Sequence, residues 1–108
     1  MKVCIAVIEC NEKAYIGHTL NTIIHAINYV NYCHIDVDVY VIDGGSTDGT
    51  VEFIQEKFIP LGVKLLFDEG KGLGAAHNFA LKSIICDVLF FTFGDEIVSE
   101  KWILSALH

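Results

Sequence analysis

The sequence predicts an α/β domain with three layers, in which a mainly parallel sheet lies between two layers of helices. Four apolar runs have the length of strands that are covered on both faces. Amphipathic segments with helical spacing separate these runs, so strands and helices alternate. That order favours parallel strands joined by right-handed crossovers. The 108 residues contain no linker, repeat or low-complexity stretch, and we expect a single domain.

The first strand and the first helix occupy the amino-terminal part of the chain. Val3 to Ile8 is a continuous apolar run, which is typical of a strand with both faces covered. Asn11 is the predicted cap of the helix that follows. The apolar stripe of this helix consists of Ile16, Leu20, Ile23, Ile24, Ile27 and Val30. The polar and aromatic segment 29–34 predicts a loop before the second strand, Val37 to Ile42.

The second helix and the third strand lie on either side of the single proline. The helix is predicted over residues 50–59 and ends before Pro60, because proline cannot continue a helix. Val63 to Phe67 predicts a short third strand. Residues 68–72 form a predicted loop that contains glycine and leads into the third helix.

The remaining segments predict one more strand between two helices. The third helix has an apolar stripe made of Leu73, Ala76, His77, Ala80, Leu81 and Ile84. Val88 to Phe93 is almost entirely apolar and predicts a central strand. Ser99 is the predicted cap of a short last helix that contains Trp102, Ile103 and Leu107.

Charge and composition limit the possible partners. Fourteen acidic residues against seven basic ones give a net charge of −7, which would repel a phosphate backbone, so we expect no nucleic acid partner. The four cysteines form no Cys-x-x-Cys pair, and a reducing cytoplasm fits them best. No run approaches the roughly 20 apolar residues of a membrane helix. A hydrophobic content of 53% indicates either a sheet covered on both faces or an apolar surface that expects a missing partner. A bare apolar flank of the fourth strand predicts self-association.

One strand, loop and helix segment is the main candidate for a ligand site. The β-branched run 39–42 stops at Asp43, and Gly44 and Gly45 let the backbone turn. Ser46 and its two successors can cap the next helix. In open α/β sheets, ligands bind where strands end and helices begin. From the residues alone, an ordinary strand-to-helix turn is an equally good interpretation.

Residues 41–50 resemble the V-[IV]-D-[DG]-G-S-T-D-G-T signature of family 2 glycosyltransferases, enzymes of the GT-A fold that use nucleotide sugars. Three other segments match in the right order. Residues 3–12 resemble the first strand of the family, which ends in Tyr-Asn-Glu, and residues 71–78 are similar to its Gly-x-x-x-Ala-Arg-Asn segment. Residues 88–96 are similar to the strand that ends in the Asp-x-Asp metal motif.

The resemblance covers nearly the whole chain but only the nucleotide-binding half of such an enzyme. It implies a Rossmann-like sheet with strand order 3-2-1-4. The parent enzyme would transfer a sugar from a nucleoside diphosphate sugar to an acceptor hydroxyl with the help of a metal ion. The general base and the acceptor pocket would follow residue 108. We therefore expect a fragment of a longer glycosyltransferase that is inactive alone.

The resemblance also implies a metal site at Asp95. This residue matches the last Asp of the motif, which holds Mn²⁺ or Mg²⁺ against the diphosphate, whereas Phe93 replaces the first Asp. Glu96 adds a second carboxylate beside it, and hard divalent cations prefer such oxygen ligands. Without the family, two solvated surface carboxylates are the more common interpretation of this pair.

The same comparison gives a set of candidate residues for nucleotide-sugar binding. Gly44 stands in place of the second Asp of the family's pair, so Asp43 or backbone groups would read the base, and Glu9 would line the base pocket. His77 stands where the family commonly has Arg and would face the diphosphate, although a histidine on an apolar stripe is more often structural. The predicted binding set is Glu9, Asp43, Gly44, Gly45, Ser46, Gly72, His77 and Asp95.

Two other functions remain open at this point. Residues 70–75 fit the G-x-G-x-x-A fingerprint of dinucleotide-binding domains, which predicts an NAD-type module. That fingerprint normally follows the first strand, and it gives the Asp43 loop no role. The third possibility is a degenerate domain that binds partners without catalysis.

Overall fold

The computed structural model describes residues 2–31, 35–99 and 101–107. Strands and helices alternate as the sequence predicts, with one short 3₁₀ turn. In chain order the elements are β1 (Lys2–Glu9), α1 (Lys13–Asn31), β2 (Asp36–Asp43), α2 (Thr50–Lys57), the 3₁₀ turn (Ile59–Leu61), β3 (Lys64–Phe67), α3 (Leu73–Ser83), β4 (Val88–Phe93) and α4 (Trp102–Leu107). No helix in the described ranges is both long enough and apolar enough to cross a membrane.

The four strands form one parallel sheet in the order β3-β2-β1-β4, which confirms the predicted fold class and strand order. The register aligns the carboxyl ends of β1, β2 and β4 at one edge. Glu9 pairs with Asp43, and Ile8 pairs with Phe93. Residues that follow these strands therefore meet at this edge, which we call the carboxyl edge.

The core lies on both faces of β1 and β2, because successive side chains of a strand point to opposite sides. Ile5 and Val7 face α1, α2 and α4 in the larger cluster, whereas Cys4 and Ala6 face α3 in the smaller one. All four side chains are completely buried. A strand buried on both faces needs a continuous apolar run, and this explains why β1 has no polar residue between Val3 and Ile8.

Several predicted boundaries differ from the structure. Helix α1 continues to Asn31, so the predicted loop over 29–34 is wrong for residues 29–31, and its remainder lies outside the described residues. Helix α2 ends at Lys57, two residues earlier than predicted. Pro60 then lies at the start of the 3₁₀ turn, where its missing N–H costs no hydrogen bond.

Asn11 does not cap α1, contrary to the prediction. It adopts a left-handed backbone with φ 55°, and its carboxamide oxygen accepts a hydrogen bond from the amide of Thr47 at 2.7 Å. The carboxylate of Asp48 instead accepts the amide of Lys13, in the first turn of α1, at 3.3 Å. The cap of this helix thus comes from a loop 35 residues away along the chain.

Candidate functional site

The main cleft of the described chain opens at the carboxyl edge and has a volume of about 520 Å³. It is bounded by the ends of β1, β2 and β4 and by the loop that precedes α3. Its lining includes Glu9, Gly44, Asp68, Gly72, Phe93 and Asp95. Ligands of open α/β domains bind at this kind of position, so the cleft is the candidate functional site.

Asp43 organises the loop that follows β2. One carboxylate oxygen accepts the amides of Gly45 and Ser46, each at 2.9 Å, and the other accepts the Ser46 hydroxyl at 2.5 Å. Although burial opposes it, hydrogen bonds from Glu9, Ser46 and Gly45 lower the pKa of Asp43. Its side chain is 1% exposed, and Asp43 is not among the cleft-lining residues. Asp43 therefore shapes the loop from beneath.

Glu9 is a buried acid that does line the cleft. Its side chain is 4% exposed, and one carboxyl oxygen lies 3.3 Å from the Ser46 hydroxyl. The other oxygen has no hydrogen-bond partner. Burial, together with the neighbouring Asp43, raises the pKa of Glu9 to about 9. This shift favours the protonated form of the Glu9 carboxyl group.

The loop after β2 is tied to the start of α1 as well. The amide of Asn11 donates to the Ser46 hydroxyl at 2.8 Å, while its carboxamide accepts from Thr47. Asp48 accepts from the amide and the hydroxyl of Thr50, which lie in the first turn of α2. The cap residue of α2 is Gly49, which makes no side-chain cap hydrogen bond, so the predicted capping by Ser46, Thr47 or Asp48 is wrong. Asp48 instead bonds to the first residue of the helix, and Ser46 and Thr47 bond to other groups.

A close backbone contact joins two walls of the cleft. Gly70 has φ 67°, and a Cβ at this position would lie 2.6 Å from the carbonyl oxygen of Gly44. The amide of Gly70 also donates to the Asp68 carboxylate at 2.8 Å, and the amide of Asp68 donates to the carbonyl of Asp43. Glycine at position 70 therefore lets the loop before α3 pack on the loop after β2.

Asp95 and Glu96 play different parts. Asp95 is exposed and lines the cleft. Glu96 turns back to the end of β4, where it accepts the amide of Phe93 at 3.0 Å and the hydroxyl of Thr92 at 3.2 Å. The two carboxylates therefore do not act as the simple pair suggested by their adjacency in sequence.

Of the two carboxylates after β4, only that of Asp95 is available to bind a divalent cation, because Glu96 is hydrogen-bonded to the end of the strand. Within the described residues, no three His, Cys, Asp or Glu side chains gather closely enough to hold a metal ion. Phe93, which is 38% exposed, stands in the cleft where a second acid would be needed. Mg²⁺ is commonly held by one or two carboxylates plus substrate phosphates. Asp95 therefore suits a cation that arrives together with a phosphate ligand.

His77 lies on α3 beside the sheet. Its Nδ1 donates to the carbonyl of Leu73 at 2.8 Å, and its ring stacks on Phe91 with centroids 4.3 Å apart. The cleft lining includes Leu73 and Ala76 from the same helix but not His77. These contacts are those of a residue that fixes α3 on the sheet.

The cleft is strongly acidic. Glu9, Glu12, Asp68 and Asp95 line it, and no basic side chain does so within the described residues. All seven basic residues of the sequence are lysines. The carboxylates of Glu12, Asp68 and Asp95 would repel a bare diphosphate, so an anionic ligand needs an accompanying cation.

Comparison with known proteins gives the family. The model for "Glycosyl transferase family 2" matches residues 4–108. The chain belongs to glycosyl transferase family 2. A relative from Nostoc sp., the uncharacterized glycosyltransferase alr2836, is 23% identical over 99 residues, which cover 90% of this chain and 29% of the relative. The chain thus spans under a third of that protein.

Solved structures that resemble this family 2 chain include TarS of S. aureus. The crystal structure of TarS residues 1–349 has a TM-score of 0.77 and 24% identity, and the match covers 99% of this chain and 31% of that 1–349 chain. The structures of TarS 1–349 in complex with UDP-GlcNAc and with UDP match equally well. These likenesses show that this chain has the same fold.

The structure brings some of the predicted residues of this family 2 chain together in the cleft: Glu9, Gly44, Gly72 and Asp95. Asp43, Gly45 and Ser46 lie behind the cleft wall in the loop network, and His77 lies on the sheet. Sequence analysis missed Asp68 as a cleft residue. Like Asp43, Asp68 comes directly after a predicted strand, and this position in the sequence predicts a place at the carboxyl edge of the sheet.

Proposed function

We propose that residues 1–108 are the nucleotide-sugar-binding part of a glycosyltransferase. The longer enzyme transfers a sugar from a nucleoside diphosphate sugar to an acceptor hydroxyl. Membership of glycosyl transferase family 2 supports this proposal, and so does the cleft of about 520 Å³ at the carboxyl edge. The acceptor pocket and the general base belong to the part of the enzyme that this chain does not include.

The walls of the cleft suit a nucleotide. Gly44, Gly70 and Gly72 leave backbone exposed on one side, and backbone that carries no side chain allows close approach of a flat ligand. Phe93, Leu73 and Ile8 supply apolar surface on the other walls. A few polar groups on a mainly apolar cleft are typical of sites for small organic ligands. UDP is the first nucleotide to test, because TarS has been crystallised with it.

The charge of the cleft supports binding of the nucleotide together with a divalent cation. Asp95 is the side chain that would hold Mn²⁺ or Mg²⁺, and phosphate oxygens of the ligand would complete the coordination. Such a cation stabilises the negative charge that develops on the departing diphosphate. This chain binds and orients the nucleotide sugar, and Asp95 and the glycine-rich walls of the cleft face it.

Isothermal titration with UDP, GDP and NAD, each with and without Mn²⁺, tests the proposal. UDP or GDP binding that requires Mn²⁺ and is lost in Asp95→Ala would support it. Asp36→Ala is the matched control, because Asp36 is an exposed acid at the opposite end of β2. The control should bind as the unchanged protein does.

The remaining outcomes distinguish the alternatives. Metal-independent NAD binding would support the dinucleotide module. The topology disfavours that function, because its glycine fingerprint follows β3 at the edge of the sheet instead of a central strand. No binding of any of the three ligands would support a domain that only contacts partners.

A further inference from the structure

Two buried carboxyl groups lie side by side beneath the cleft. Glu9 and Asp43 are register partners at the ends of β1 and β2, and their side chains are 4% and 1% exposed. Buried acids normally need a cation or several hydrogen-bond donors. None of the ion pairs found among the described lysines involves either acid. The hydrogen-bond donors must therefore account for both groups.

Among the described residues, the donors that reach this pair of carboxyl groups go to Asp43. It accepts the amides of Gly45 and Ser46 and the hydroxyl of Ser46. The hydroxyl has a single proton, and its 2.5 Å distance to Asp43 against 3.3 Å to Glu9 assigns that proton to Asp43. The Ser46 oxygen itself accepts the amide of Asn11.

Within the described parts of the chain, no uncommitted donor reaches either carboxyl oxygen of Glu9. One oxygen is buried without a partner, and the other faces a hydroxyl whose proton is already used. An ionised Glu9 would thus be a buried, unpaired charge beside a second carboxylate, which is costly. A protonated Glu9 avoids this cost, because its O–H can donate to the remaining acceptor position of Asp43.

We propose that Glu9 is a positioning residue that remains a neutral acid, donates its proton to Asp43 and so fixes residues 44–46 at the wall of the cleft. The backbone supports the same link, since the amide of Gly44 donates to the carbonyl of Glu9 at 3.0 Å. The protonation of Glu9 is independent of the proposed function, whereas its effect on nucleotide affinity rests on that function.

Burial, Asp43 and Asp48 favour the neutral form of Glu9, and only the hydrogen bond from Ser46 opposes them among the causes of its pKa shift. Asp43 faces it from β2, Asp48 from the following loop, and Cys10 is its neighbour in the chain. From the β4 side the contact is Gly94, where a Cβ would lie 2.6 Å from the Cβ of Glu9. Loss of the proton would place two negative charges in contact and release the loop from β1.

Carbon NMR of protein labelled at the glutamate side-chain carboxyl carbons tests the protonation directly, with the Glu9 signal assigned by Glu9→Gln. We expect the Glu9 signal to stay constant through neutral pH and to titrate near the pKa of about 9. Titration in the ordinary range of glutamate, about 4.3, would overturn the proposal.

The effect on the cleft is measured as UDP affinity in Mg²⁺ between pH 7 and pH 10. The glutamine introduced by Glu9→Gln keeps an N–H donor toward Asp43 but cannot ionise. Titration of UDP affects both proteins equally, so it cancels in the ratio of the UDP affinity of the unchanged protein to that of Glu9→Gln. The unchanged protein should lose about tenfold relative to Glu9→Gln by pH 10. Glu56→Gln, a change at an exposed acid of α2, should follow the unchanged protein.

Two outcomes would count against the proposals. An affinity ratio that stays constant up to pH 10 would show that Glu9 does not position the loop through its proton. No UDP binding by either protein at any pH would contradict the proposed function instead, and the carboxyl titration would still decide the state of Glu9.

Discussion

Glu9 and Asp43 end neighbouring strands, and the hydroxyl of Ser46 lies 3.3 Å from one carboxyl group and 2.5 Å from the other. Asp43 accepts hydrogen bonds from three donors. Among the described residues, the one donor near the Glu9 carboxyl group is the Ser46 hydroxyl, whose proton already goes to Asp43. With Glu9 protonated as proposed, the pair has one negative charge and one proton at neutral pH. This arrangement joins residues 3–12 to residues 41–50, two of the segments that resemble the family's motifs.

The protonation of Glu9 predicts that stability falls as the pH rises. The pKa of Glu9 is about 9 in the folded chain against a model-compound value of 4.5, so the folded state binds an extra proton between these values. This contribution is complete below the lower pKa and is lost as the pH rises through the upper one. The free energy of unfolding should decrease by up to about 1.4 kcal/mol per pH unit.

Urea unfolding of the unchanged protein and of Glu9→Gln between pH 5.5 and pH 8.5 measures this slope. The variant should show a shallower decrease and, because glutamine needs no proton, should be the more stable protein at the alkaline end. Equal slopes in the two proteins would show that Glu9 is ionised in the folded state.

Replacing Asp43 by asparagine should destabilise the loop after β2. The asparagine carboxamide keeps only one acceptor oxygen, so its NH2 group would face either the two amides or the hydroxyl that now donate to the carboxylate. Leaving buried donors unpaired costs about 1–3 kcal/mol, and we expect a loss near the upper value. Thermal unfolding of Asp43→Asn and of Asp36→Asn, an exposed site at the start of the same strand, provides the comparison. Similar losses in both variants would contradict the buried network.

Two glycines of the α3 region should respond oppositely to alanine. Gly70 has φ 67°, and its Cβ would meet the Gly44 carbonyl at 2.6 Å, so Gly70→Ala should cost about 2 kcal/mol or more. Gly74 lies within α3 with open space around it, so Gly74→Ala should stabilise by about 0.5–1 kcal/mol. Chemical denaturation of both variants checks the signs. A harmless Gly70→Ala would mean that the two cleft walls are not in contact.

A second acid in the cleft should create a stronger cation site. Phe93 precedes Asp95 by two residues and lines the cleft with it. Phe93→Asp should therefore raise the affinity for Mn²⁺ alone by about tenfold, because cation affinity rises with the number of charged ligands. Electron paramagnetic resonance of free Mn²⁺ measures this, with Leu81→Asp on the exposed side of α3 as the control. An equal gain in both variants would point to general charge attraction.

The sheet could be predicted because apolar runs and helical stripes repeat along the chain, and alternation of the two elements implies parallel strands. Glu9, Asp43 and Asp95 could be placed at one edge for the same reason. Their contacts could not be predicted. Glu9 and Ser46 are 37 residues apart in sequence, and whether an acid is neutral depends on how many donors converge on it after folding.

Side-chain direction was the second thing that could not be predicted from sequence. Asn11 has the residue type of a helix cap, but its carboxamide bonds to Thr47, because the loop after β2 packs on that side. Glu96 follows Asp95 directly, yet its carboxylate closes the turn after β4. In both cases local residue type allowed two partners, and tertiary packing selected between them.

The most direct measurement is amide NMR of the 108-residue chain during titration with UDP in Mg²⁺. We expect the largest shifts at the amides of Gly44, Gly72 and Asp95, around the cleft at the carboxyl edge. Shifts centred instead on Asp36 and Asp87, at the opposite edge of the sheet, would contradict a nucleotide site in this cleft.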